Sequence, residues 1–198
     1  VGSEMCIRDR LLVLRGDLLE RWQQQLPPDS PNYFLLNMTE AQVPQVKTFL
    51  QQHQIKPETY YPIVRVRLTE INQQVATERV HEDDPGGEAV NRELNLTWLA
   101  ELPDHNPLVA GSWPPKSGEV SMDEGIAGRL KIKLGDTLTF SGDTQAFSAK
   151  VTSLRQVDWE SLKPNFYFIF PPGALDGQPQ TWLTLSLIHI SEPTRLAL

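Results

Sequence analysis

Hydrophobic and polar positions change their period along this chain, and each change marks an element. In Tyr60–Thr69, Val64, Val66 and Leu68 alternate with Arg65 and Arg67, the period-two pattern of a half-buried strand. Before it, Tyr33–Met38 reads as a short apolar strand. Thr39–Gln54 puts Val43, Val46 and Leu50 on one helical face with Phe49 beside them. Thr39 and Gln42 offer a capping box, and Pro44 moves the helix start a residue or two inward. Asp17–Leu26 predicts another amphipathic helix, with Leu18, Leu19, Trp22 and Leu26 on one face and Pro27-Pro28 as its end.

The second half of the chain is organised around Glu119–Phe140, which reads strand, short helix, turn, strand. Ser121 and Glu124 have the spacing of a capping box. Ile126, Ala127 and Leu130 form the helix's apolar face, and Gly128 is expected to leave room for a neighbouring backbone. Gly135-Asp136 turns the chain, and Leu138 and Phe140 alternate with Thr137 and Thr139. Leu94–Leu99 and Leu108–Ala110 predict further strands. In Gln145–Val157, Phe147, Ala149 and Val151 alternate and Leu154 then falls out of phase, which predicts a β-bulge. Phe166–Phe170 is a continuous apolar run, as a strand buried on both faces requires. Thr181–Thr184 begins one more strand. Between strands, Asn72–Asn91 carries charges, Pro85 and Gly86-Gly87, and predicts an exposed, mobile loop. Trp98, Trp113, Ile126, Leu130, Phe140, Val151, Phe166 and Phe168 are the expected core.

Composition narrows the function classes. The net charge is −7 without basic clusters, which argues against a nucleic-acid partner and against docking on anionic lipid heads. Cys6 is the only cysteine. No segment approaches the ~20 apolar residues of a membrane span; Leu11-Leu12-Val13-Leu14 suits a span's last turn, but by itself it reads better as an ordinary hydrophobic helix start. Val1–Arg10 and Leu185–Leu198 look like translated sequencing adapter, because VGSEMCIRD and LSLIHISEPT can be encoded by antisense copies of one DNA. Both ends are set aside from the fold argument.

The order of elements in Glu119–Phe140 resembles the periplasmic part of MacB/FtsX-type ABC permeases, relatives of the lipoprotein-releasing LolC/LolE subunits. The flanks, Gly111-Ser112-Trp113-Pro114-Pro115 before it and Phe147–Val157 with Phe166–Pro172 after it, extend the resemblance over about all of Leu11–Thr184. It implies an α+β fold. Residues 11–31 would hold the end of a membrane helix and a stalk helix, and 32–71 the first strand–helix–strand half of a "porter" unit. Residues 72–176 would form a β-rich "sabre"-like unit and 177–184 the start of the returning porter half. It further implies a non-catalytic domain on the periplasmic side of the inner membrane. That domain would couple ATP hydrolysis by a LolD-like ATPase subunit to the handling of a hydrophobic cargo: lipid, lipoprotein or other amphiphile. A periplasmic esterase or thioesterase is a further implied partner. A periplasmic hydrolase and a free-standing adaptor are the alternatives.

Candidate chemistry in the residues is sparse. Ser112 follows Gly111, but Ala110 and Pro114 leave the G-x-S-x-G elbow incomplete. His81, Asp83 and Asp84 lack a second histidine at ligand spacing. His105 beside Asp104 reads as a turn, and His53 as a cation near a helix C-terminus. The aromatic residues Tyr167, Phe168 and Phe170 suit a lipid-lining groove less well than a buried strand. No phosphate loop and no H-E-x-x-H motif occurs. No catalytic, cofactor-binding or metal residue is therefore assigned.

Overall fold

One long strand, Pro57–Ile71 (β2), holds the architecture together. Our computed structural model describes residues 33–186 apart from 54, 56, 80–86 and 162. The expected Asp17–Leu26 helix and the Leu11–Leu14 stub lie outside those residues. The other strands are β1 (Tyr33–Met38), β3 (Gln74–Val75), β4 (Leu94–Trp98), β5 (Leu108–Gly111), β6 (Glu119–Asp123), β7 (Thr137–Ser141), β8 (Ala146–Arg155), β9 (Phe168–Phe170) and β10 (Thr181–Ser186). Among the described residues four short helices accompany them: α1 (Val43–Gln52), α2 (Ala76–Arg79), α3 (Gly87–Asn91) and α4 (Glu124–Leu130). The fold is thus β-rich, with a mixed sheet and few helices.

Neighbouring strands run in the order β1-β10-β2-β4-β9-β6-β8-β5. β7 pairs with both β8 and β2, so β2-β4-β9-β6-β8-β7 closes on itself as a six-stranded barrel. Closure removes the free edges that an open sheet would expose. Most ladders are antiparallel; β4–β9 and β6–β8 are parallel. β10 lies between β1 and β2, pairing Leu183 with Tyr61 and Leu185 with Phe34. The strand therefore runs past Thr184, and Leu185, set aside by the sequence reading, is fully buried.

The barrel interior is filled by the alternating inward residues. Val64, Val66 and Leu68 are buried while Arg65 and Arg67 are exposed, as the period-two pattern predicts. Phe140 meets Phe168 and Phe170 edge-on, with ring centroids 5.3 and 5.9 Å apart. β9 is buried on both faces, because Ile169 turns the other way into a second cluster with Tyr61, Leu99, Phe166, Leu183 and Leu185. Six of the eight expected core residues are buried. Trp98 and Trp113 are only half-buried and pack against the cluster margins.

Several local expectations need correction. Asn72–Asn91 is not simply an exposed loop: it contains β3, α2 and α3, and Ala76, Ala89 and Val90 are buried in the barrel core. The chain can turn directly at Asn72-Gln73 because both residues adopt positive φ, 53° and 65°, as a two-residue hairpin turn requires. Asn72 is held there by Thr137 N–H donating to its Oδ1 at 2.8 Å and by its own donation to Asp136 at 2.9 Å. The cap of α4 is Asp123, not Ser121. Pairing with β8 and β9 keeps Ser121–Asp123 extended, and Asp123 Oδ2 accepts from Ile126 N–H at 3.0 Å. A Cβ at Gly128 would touch nothing, so that glycine does not serve a close approach. α1 begins at Val43 with Pro44 in its first turn, where a missing N–H is harmless. Gln42 Oε1 does accept from Thr39 N–H at 2.9 Å, one half of the expected box.

Candidate functional site

The bulge expected in β8 is present: its ladder with β6 slips between Val120 and Ser121, passing over Thr152. The inward alternation nevertheless continues through Ser153 and Arg155, both fully buried, while Leu154 is half-buried. Arg155 is thus a charged side chain at a core position. Its Nε donates to Ser121 Oγ at 3.0 Å, Nη1 to Asn106 Oδ1, and Nη2 to the carbonyl oxygens of Phe166 at 3.1 Å and Tyr167 at 3.2 Å. Burial pushes its pKa down to about 10, against the opposing field of Asp123, so it remains a cation at neutral pH. One guanidinium fork thereby joins β6, β8, the entry to β9 and the β4–β5 connection.

The same connection lines an open cleft of about 570 Å³. The start of β2 supplies Thr59, Tyr60 and Tyr61, the end of β4 supplies Trp98, and residues 99–105 and the exposed Lys163 complete the lining. Tyr61 and Leu99 are buried and belong to the second apolar cluster beneath it. Trp98 Nε1 donates to Gln180 Oε1 at 3.3 Å, and its ring meets Trp182 edge-on at 6.0 Å. The Tyr60 hydroxyl is buried with no hydrogen-bond partner among the described residues, and burial raises its pKa. Lys47 Nζ sits 4.8 Å from the Tyr60 ring centre, a cation–π contact that helps fix the ring.

The residues weighed from sequence are not brought together. His105 borders the cleft, with Nε2 3.4 Å from the Pro164 carbonyl, and Asp104 lies beside it, exposed. His53 caps α1, its Nδ1 2.8 Å from Phe49 O. Ser112 is exposed, and its N–H donates to Thr152 O at 3.4 Å. His81, Asp83 and Asp84 lie outside the described residues. Among the described residues no group of three or more His, Cys, Asp or Glu could hold a metal, and no helix is long and apolar enough to cross a membrane. Phe168 and Phe170 are wholly buried, so they line no groove. Sequence reasoning missed both Arg155 and the cleft. Arg155 could have been found by carrying the Ala149–Val151 alternation onward without requiring apolar residues. The cleft joins segments about forty residues apart and leaves no local signal.

No family model matches the chain. Comparison with curated proteins finds a similar protein over 174 residues, 88% of this chain. Over them the chain is 70% identical to the uncharacterized ABC transporter permease YbbP of Escherichia coli strain K12. The chain spans 21% of that relative's length.

Proposed function

We propose that this chain is an extracytoplasmic segment of an inner-membrane ABC permease subunit. In this reading it couples ATP hydrolysis on a separate, LolD-like ATPase to the handling or export of a hydrophobic cargo. The single observation that carries the proposal is the 70% identity to an ABC transporter permease. The geometry fits a non-catalytic, force-bearing part: the barrel is closed, its core is packed with aromatic rings, and a buried cation fastens four segments to one another. The division into a porter-like unit (β1, α1 and β2, with the returning strand at residues 177–184) and a sabre-like unit (residues 72–176) belongs to the same proposal. A periplasmic esterase or thioesterase is the proposed soluble partner.

Two measurements on the full-length permease test this. Asp143, exposed on the β7–β8 turn, is replaced by cysteine, and intact spheroplasts are treated with a membrane-impermeant maleimide. Labelling from outside is expected, and labelling only after lysis would refute the placement. Residues 33–186 are then replaced by a Gly/Ser linker in permease reconstituted with its ATPase. Hydrolysis should persist while ATP-dependent movement of a fluorescent phospholipid falls; undiminished movement would refute the coupling role.

A further inference from the structure

We propose that the cleft beside Tyr60 binds an amphiphile with one acyl chain and a zwitterionic head, an inference that rests on the hydrophobic-cargo reading. Its volume, about 570 Å³, falls within the roughly 300–1,000 Å³ of small-molecule sites. Its walls and floor suit an acyl chain. Tyr61 and Leu99 belong to an apolar cluster with Phe166, Ile169, Leu183 and Leu185, and Trp98, Leu102 and Pro103 also line the cleft. Trp98 is held by Gln180 and Trp182, so that wall exists before any ligand arrives.

The polar groups select the head. Lys163, Glu101 and Asp104 are exposed at the rim, and none of the three side chains makes a hydrogen bond or ion pair among the described residues. A purely anionic head would meet Lys163 but be repelled by two carboxylates, and a purely cationic head would leave Lys163 opposed. A head carrying both signs satisfies both. The Tyr60 hydroxyl adds a donor. It is buried and unpaired, an unfavourable state that an ester carbonyl between head and chain relieves on reaching it.

The test uses the 198-residue chain and 1-lauroyl-lysophosphatidylethanolamine below its micelle threshold. That probe is zwitterionic and carries one ester. Titration is followed by calorimetry and by the Trp98 indole N–H resonance. Saturable binding that shifts this resonance is expected, with weaker binding of the anionic lysophosphatidylglycerol of equal chain length. Tyr60→Phe removes only the hydroxyl and should weaken binding roughly 2- to 10-fold, while leaving the thermal melt equal or higher because a buried orphan is gone. Lys163→Glu, on an exposed side chain, should also weaken it. No binding below the micelle threshold, an unmoved Trp98 resonance, or unchanged affinity in Tyr60→Phe would each overturn the site. Equal or tighter binding of the anionic lipid would overturn the head preference. Any of these results leaves the permease family and the coupling role standing. Confirmed binding with no lipid movement by the reconstituted permease would sink the cargo reading and leave the site.

Discussion

Replacing Arg155 by methionine should be among the most damaging single changes that leave the core volume filled. Methionine occupies much of the aliphatic stem's space, so little cavity forms. Every hydrogen bond of the guanidinium disappears: Ser121 Oγ, Asn106 Oδ1 and the carbonyls of Phe166 and Tyr167 lose their donor together. Ser121 and Asn106 are themselves buried, at 0% and 1% exposure, so water cannot replace it. Asp123, 3% exposed, loses the nearby positive charge. The desolvation that pulls the Arg155 pKa down to about 10 works the other way, since methionine relieves it. Removing one side of a buried charge arrangement generally costs about 3–5 kcal/mol despite that relief, and we expect this range. For a domain of this size that is a melting-temperature drop of roughly 6–20 °C. Urea melts of the parent and Arg155→Met should differ in midpoint with an unchanged slope. Arg155→Lys, which keeps the charge but not the fork, should fall between them. A double-mutant cycle with Asn106→Ala should give a coupling of about 0.5–3 kcal/mol. A loss below about 1 kcal/mol in Arg155→Met, with the slope preserved, would show that the fork does not fasten these segments.

Three further outcomes follow from the same structure. Phe168→Ala removes a ring with no exposed surface that packs edge-on against Phe140, and should cost roughly 3–5 kcal/mol in a denaturant melt; a change near zero would place Phe168 outside the core. Gln73→Gly relieves a side chain at φ 65° and should raise the unfolding free energy by about 0.5–1 kcal/mol, whereas a loss would mean that the Gln73 side chain stabilises the turn. Burial alone would raise the Asp136 pKa, but the Asn72 hydrogen bond, the Lys133 backbone N–H and the charges of Arg79 and Lys133 outweigh it and hold the carboxyl below its usual range. Its stabilisation should therefore be full above the unfolded value of about 3.9 and vanish as pH falls through the lower folded value. Asp136→Asn should flatten that acid limb in pH-dependent melts, and an unchanged limb would exclude Asp136 as its source.

Local patterns were legible where one face is wet and the other apolar. β2, α4 and β7 could be read because polar and apolar residues alternate at the period of the element. β9 could be read because a run of five apolar residues suits a strand covered on both sides. The rest depends on partners remote in sequence. Asn72-Gln73 lacks the glycine that usually marks such a turn, and its conformation is secured by Thr137 and Asp136, more than sixty positions away. Ser121 looked like a cap because its distant partner, Arg155, was out of view. Barrel closure rests on β7 pairing with both β8 and β2, and only the first of these is local. The cleft arises where the end of β4 passes the start of β2, and neither segment signals it alone.

The pairing of β2 bears most directly on the proposed mechanical role. Its fifteen residues span roughly 45–50 Å of extended backbone. The first part pairs with β10, Val64–Val66 with β4, and Arg67–Ile71 with β7. The layer made by β1 and β10 is therefore attached to the barrel through a continuous strand rather than through a flexible linker. A displacement applied to that layer can reach the barrel along hydrogen-bonded backbone, and slipping would require several ladder bonds to break together. This layer is less covered: β1 pairs only with β10 among the described residues, and Leu36 on β1 is 59% exposed. The chain represents about a fifth of its permease relative. The proposed role as a transmitter therefore places the load path along β2, and places the cleft at Tyr60 and Trp98 where that path passes from the β10 ladder to the β4 ladder.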